Sequence, residues 1–291
     1  MIERYLAELS TELGSVGIRG ALRRRILAEA EDHLRESGEP GRFGDPALIA
    51  ARFADELATS GARRVAWGSV AALAPAGIGY AILVSLGAPW PDITAGRSVP
   101  IAVAAAATML LAPQVSFASG LLAVAGAWRL RSQVAAPASA ITLLRRRAGV
   151  ALAAGATTLL AVMVTTYEFS AWISTWRIAL TFSIAGASLL PIAAGAFALR
   201  RTGYLRPQTA GDAGDVFDDL APVLDRVPLE LRGRPWRFCL LFAAGVAALA
   251  LLGGGVLNEG PRNAVAEFAA VCAGFAALGR YLGLRPTRAR H

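Results

Sequence analysis

Lysine is missing altogether from this sequence: all 29 basic residues are arginine. With the heavy alanine and glycine content, that pattern fits the A-poor codons of a high-GC bacterial genome, so arginine here is not evidence of phosphate recognition. Charge of either sign is scarce as well, at 17% of residues. A soluble domain of this length carries nearer a quarter, and the deficit points to a bilayer rather than to a large water-soluble core. Histidine occurs twice and cysteine twice. Cys239 and Cys272 both lie within apolar runs, which excludes an extracellular disulfide framework and reads as small, inert core residues. The opening "MIERYLAELSTELG" has no apolar signal-peptide core or small-residue cleavage site. Phosphate-cradling loops, paired catalytic carboxylates, nucleophile elbows and zinc-ligand spacings are also lacking. No catalytic, cofactor or metal residue is therefore assigned, and an enzyme is not expected.

The net charge of +8 is unevenly placed. Residues 1–64 hold 10 Arg against 11 Asp and Glu, and residues 65–291 hold 19 against 10. A nucleic-acid reader concentrates positive charge on its soluble part, whereas here the excess lies among apolar segments. Direct nucleic-acid binding is not expected.

Hydrophobic periodicity divides the chain in two. In residues 1–62, Ile2, Tyr5, Leu6, Leu9 and Leu13 form a helical stripe. "GSVGIRG" breaks it. A second helix runs from about Ala21 to Glu36 and is ended by "SGEPGRFG". A third opens at "GDPALIAARFADELA", where Asp45 can cap the free amides and Pro46 suits the first helical position. Ile49, Phe53 and Leu57 give it an apolar face, and Gly61 with Arg63 and Arg64 closes the unit. The expected fold is all-α: a small three-helix domain followed by a six-helix transmembrane bundle.

The six apolar stretches lie at about 65–87, 100–128, 148–167, 178–199, 238–257 and 264–284. Each reaches the roughly 20 residues that cross about 30 Å of hydrocarbon. Prolines 75, 113 and 191 are candidate kinks. Arginine clusters in the expected loops 129–147 and 200–237 and in the tail, while the opposite connections hold only Arg97, Arg177 and Arg262. The positive-inside bias then puts both termini, residues 1–62 and the two Arg-rich loops in the cytoplasm of a bacterial inner membrane. Trp90, Trp172 and Trp176 fall at the outer edge, and Trp67, Trp128 and Trp236 at the inner one. Between residues 212 and 230, Val216, Phe217, Leu220 and Leu224 can share a face, backed by Asp215, Asp218, Asp219 and Asp225. An acidic helix is repelled by anionic lipid, so this one is expected to pack on protein, either the first domain or a partner.

The densest polar cluster is "RRRILAEAEDHLRE", residues 23–36. At about 100° per residue, Arg23, Ile26, Leu27, Ala30 and Leu34 share one arc, with His33 at its edge. Only Glu29 and His33 could converge from this helix, too few for a metal site. The expectation is a half-buried histidine bonded to Glu29 or a backbone carbonyl, with a pH-responsive contact as the alternative. Within the spans no Asp, Glu or His is expected near a midplane; Glu168 and Glu267 read as solvated at outer ends. Gln114, beside Pro113, is the most suggestive intramembrane polar group, with the carbonyl freed by the proline as its simplest partner. Gly279 and Gly283 match a close-packing spacing, which permits a homo-oligomer without specifying one.

The N-terminal residues resemble a known family. "YLAEL", then "RRRILAEAEDHLRE", then "RFGDPALIAARFADEL" is similar to the HTH-associated α-helical signalling domain (HAAS), also met as a permease-prefix-like unit ahead of membrane spans. Tyr5, Leu6, Ile26, Leu27, Glu29, His33, Leu34, Phe43, Gly44, Asp45 and Pro46 carry the match. The short connection "SGEPGRFG" departs from it, since a longer acidic helical stretch commonly stands there. "PQVSFASGLL", "RGRPW" and "GRYLGL" also look similar to the membrane part of such proteins.

The resemblance implies a signalling module whose motif includes Glu29, Asp32, His33, Phe43, Gly44, Asp45 and Pro46, and a PadR-type winged-helix regulator as its cytosolic partner. Two functional expectations follow. The first is a membrane signalling or regulatory protein that binds such a regulator in response to a membrane cue. The second is a small permease or an accessory subunit of a transporter.

Overall fold

The structure is a computed structural model and describes residues 2–37, 44–85, 96–212, 219, 235–254, 260–279 and 281–283. Among them the fold is all-α: eight helices and no strand. These are α1 (Ile2–Ser15), α2 (Gly20–Ser37), α3 (Pro46–Ser85), α4 (Val99–Arg129), α5 (Ala138–Glu168), α6 (Thr175–Thr202), α7 (Pro235–Gly254) and α8 (Gly260–Leu278).

The apolar stripe of α1 folds inward as its spacing requires, with Leu9 and Leu13 fully buried. From α2, Ile26, Ala30 and Leu34 are buried and Leu27 packs partly against the same cluster. Ala50 and Ala54 of α3 complete it, flanked by Ile49, Phe53 and Leu57. Glycine is required in the turn between α1 and α2. Gly17 has φ +93°, and a side chain there would collide with the Tyr204 carbonyl.

The largest departure from expectation is α3. It does not end at Gly61 or at Arg63 and Arg64 but continues to Ser85 as one helix of 40 residues. At 1.5 Å per residue it is about 60 Å long. Its first half belongs to the N-terminal cluster, and its second packs with α4, α5 and α6. The Arg-rich connection is also shorter than expected. A single 3-10 turn, Leu130–Ser132, follows α4, and α5 begins at Ala138, so Arg145, Arg146 and Arg147 are helical rather than in a loop.

Three stretches are long and apolar enough to cross a membrane: Val99–Ser132, Ala138–Glu168 and Thr175–Thr202. A shorter apolar helix covers Cys239–Leu251. Of the expected six, these three meet length and composition among the described residues, and residues 86–87, 255–257, 280 and 284 of the other stretches lie outside them. Side-chain size reinforces the assignment. In α4 most buried positions are small, including Ala102, Ala105, Ser119, Gly120, Ala123 and Ala127, with Met109 and Leu122 the larger exceptions. Ile101, Val103, Phe117 and Leu121 face outward. Large apolar groups outside and small ones inside is the packing of helices in lipid, where close backbone approach and not hydrophobic exclusion holds neighbours together. α4 runs unbroken through Pro113, as α3 does through Pro75 and α6 through Pro191. Helices α3 to α6 pack together, and α7 and α8 form a pair that leans on α4 through α8.

Candidate functional site

The motif residues read from the N-terminal sequence separate into two groups. Tyr5 donates from its hydroxyl to the Gly44 carbonyl at 2.9 Å, so the "YL" and "GDP" motifs touch. Burial first, then the Asp45 and Glu8 carboxylates, push the Tyr5 phenol above its usual range. Asp45 caps α3, accepting from the Ala47 amide at 3.1 Å, and Pro46 occupies the first helical position. The other group faces outward. Glu29 pairs with Arg25 at 2.9 Å, and Glu31 pairs with Arg35. His33 is exposed and not half-buried, with the Glu36 carboxylate 4.0 Å away, and Asp32 is exposed beside it. The reason is angular: His33 falls just off the Ile26–Ala30–Leu34 arc, and α3 does not cover that edge. Phe43 lies outside the described residues. Among the described residues, no group of three or more His, Cys, Asp or Glu could hold a metal ion.

Between this unit and the apolar helices is a polar junction that spacing alone did not reveal. Asp55 on α3 is buried and accepts the Gln208 amide at 2.6 Å, the Thr209 amide at 3.3 Å and the Thr209 hydroxyl. One turn on, Thr59 accepts the Ala136 amide at 2.9 Å. Arg63 donates to the Leu130 and Arg131 carbonyls at 3.2 and 2.7 Å, where the end of α4 leaves carbonyls without helical partners. The Arg206 amide donates to Val16 at 3.1 Å, and the Ala138 amide to Thr209 at 3.0 Å. Residues 204–211 thus form a strap that ties α1, α3 and the start of α5.

Deeper along α5 stands a buried ion pair. Arg145, Arg146 and Arg147 sweep about 200° of the helix at 100° per residue, so all three cannot face outward. Arg145 reaches the Thr202 carbonyl at the end of α6, and Arg147 is 1% exposed. Its guanidinium donates to Leu282 at 3.0 Å, to Leu122 at 3.1 Å and to the Asp219 carboxylate. Asp219 also meets Arg129 at 3.1 Å. Gly126 lies close beside them: a Cβ there would come within 3.2 Å of the Leu144 side chain and 3.3 Å of the Arg147 guanidinium, so a side chain at this position would have to press on both. Asp219 is the one residue of the acidic 212–230 stretch, apart from Asp212 at its start, that the structure describes. It packs against arginines of α4 and α5. The remaining residues of that expected amphipathic face lie outside the described set.

From this pair a cavity of about 380 Å³ extends between α4, α7 and α8. Its walls are apolar side chains such as Leu121, Phe242, Val271 and Phe275, with Trp128 and Asp219 also contributing and Gln114 further along α4. Gln114 does not serve only its own helix, as its place after Pro113 suggested. It donates to Glu267 of α8 at 2.6 Å, close to the midpoint of α4. Glu267 is therefore not a solvated end group, and an acidic residue does stand at mid-helix. Glu168 likewise is 5% exposed and accepts the Ser98 amide at 2.7 Å, capping the start of α4. Pro113 lines a second apolar cavity, also about 380 Å³, against α3 and α5.

These features define an all-α membrane protein. Comparison with protein-family models, with curated proteins and with solved structures returned no match for this chain.

Proposed function

We propose that the chain is a six-span signalling protein of a bacterial inner membrane, with both termini cytoplasmic. Its HAAS-like residues 1–62 bind a PadR-type winged-helix regulator in response to a membrane-borne cue. The carrying observation is the continuity of α3. One helix holds Phe53 and Leu57 against the N-terminal cluster and Ala72 and Ala76 against α5 and α6. A shift among the apolar helices is then delivered to the cytosolic unit without an intervening hinge. The binding surface is the outward side of α2, where Glu31, Asp32, His33 and Arg35 are not consumed by the core.

The test is co-purification of a PadR-type regulator with the full chain from membranes, against the triple variant Glu31→Ala, Asp32→Ala, Arg35→Ala. Binding that is lost in the variant supports the reading. A regulator that never associates with the full chain removes it.

A second reading, a small permease or transporter subunit, draws support from the Gln114–Glu267 contact beside the apolar cavity, because ionisable groups are kept at mid-membrane when function uses them. Under it, Glu267→Gln abolishes substrate uptake by vesicles reconstituted with the full chain, and uptake unchanged in that variant removes this reading.

A further inference from the structure

Glu267 stands on the side of α8 that walls the cavity between α4, α7 and α8. It precedes the lining residues Ala270, Val271 and Gly274 by three, four and seven positions, the spacing that keeps side chains on one helical face. Its carboxylate accepts the Gln114 amide at 2.6 Å, and Gln114 itself lines the cavity. A carboxylate is thus set at one end of an apolar space, halfway along α4. Among the described residues its one hydrogen bond comes from that neutral amide, and it forms no ion pair. The acidic group at the other end is different. Asp219 lies beside Gly126, about 18 Å further along α4, and Arg129 and Arg147 answer its charge. Among the described residues no arginine lines the cavity, so its two ends hold one matched and one unmatched carboxylate.

We infer that this cavity binds a lipophilic organic cation, a single positive charge on an apolar or aromatic body, as in a quaternary ammonium or phosphonium. The charge rests against Glu267 and the body fills the space toward Phe242 and Phe275. A carboxylate in low-dielectric surroundings is costly without a counter-charge, and such a ligand supplies one. The walls suit the rest of it. They are almost wholly apolar, and aromatic faces attract cations that shed their water easily. At about 380 Å³ the space is of the size that takes small organic molecules. An inorganic cation such as magnesium fits poorly, because it needs about six oxygen ligands. The wall beside Glu267 offers the Gln114 amide and otherwise carbon. The inference rests on the transport reading in one respect, since it names the substrate class of that reading's site.

The test is equilibrium dialysis of the purified full chain in detergent against radiolabelled tetraphenylphosphonium. Saturable binding is expected. Glu267→Gln, nearly the same shape without the charge, weakens it by about tenfold or more, the scale of one lost charged contact. Ala118→Phe, which fills the space one turn from Gln114, abolishes it. With the wild-type chain, tetrabutylammonium displaces the label, whereas triphenylphosphine oxide, a neutral counterpart, and magnesium chloride at matched ionic strength do not. Displacement by the neutral compound as strong as that by tetrabutylammonium overturns the inference, and so does binding unchanged in Glu267→Gln. The competition series needs no variant to fold, so the outcome does not depend on tolerance of the substitutions. Binding is read without transport. Failure to bind the cation therefore removes this site assignment alone, and failure of Glu267-dependent uptake removes the transport reading while a measured cation site stands.

Discussion

Two regions of the molecule use the same pair of residue types to opposite effect. On α2, Arg25 with Glu29 and Arg35 with Glu31 form ion pairs one turn apart, with side chains 39–79% exposed. At the Arg-rich end of α5, Arg147 and Asp219 form a pair whose side chains are each 1% exposed. Water screens the first kind, so each is worth a few tenths of a kcal/mol at most. The second is insulated, and its members depend on each other because neither can be left alone at that depth. Composition treats the two alike, whereas burial separates them by an order of magnitude in energy.

The contrast can be tested in descending order of effect. Arg147→Ala takes from the buried Asp219 carboxylate its one fully buried partner, leaving only Arg129, and is expected to destabilise the protein by about 3 kcal/mol, read as a fall in melting temperature in detergent. The double change Arg147→Met with Asp219→Leu is expected to recover most of that loss, because it leaves no under-compensated charge buried between α4 and α5. Next comes Asp55→Ala. It removes the acceptor for the Gln208 and Thr209 amides and is expected to cost about 1–3 kcal/mol, with faster proteolysis within residues 204–211. Asp45→Ala, which uncaps α3, is expected to cost about 1 kcal/mol and to raise amide exchange at Ala47. Smallest is Glu29→Ala on the exposed face, expected within about 0.5 kcal/mol of wild type. A Glu29→Ala effect as large as that of Arg147→Ala would erase the distinction.

What could be read in advance was what neighbours in the chain decide. The α1 stripe, the Ile26–Ala30–Leu34 arc and the Asp45–Pro46 start of α3 depend on spacings within one or two turns, and the structure carries each of them. The long apolar helices α4, α5 and α6 were equally plain from length and hydropathy. The features that went unread need partners distant in sequence. Glu168 meets Ser98 across 70 residues and Gln114 meets Glu267 across 153, so both carboxylates looked solvated. Arg145 to Arg147 read as a loop because clustered arginine also marks the cytoplasmic side of a membrane. Three consecutive arginines at the head of an apolar helix were nevertheless a clue, since a helix must turn one of them toward its neighbours. The continuity of α3 was missed for a related reason: Gly61 weakens a helix but does not end one when Arg63 is fixed on the carbonyls of Leu130 and Arg131.

That unbroken α3 has a geometric corollary. A helix through both halves locks their rotational phase, so one residue added between Ala62 and Val65 would turn Phe53 and Leu57 by about 100° relative to Ala72 and Ala76. Seven added residues, two nearly whole turns, would restore the alignment and only lengthen the shaft by about 10 Å. The chain length between these two faces is thus counted in turns, and the protein tolerates insertions there by periodicity and not by size.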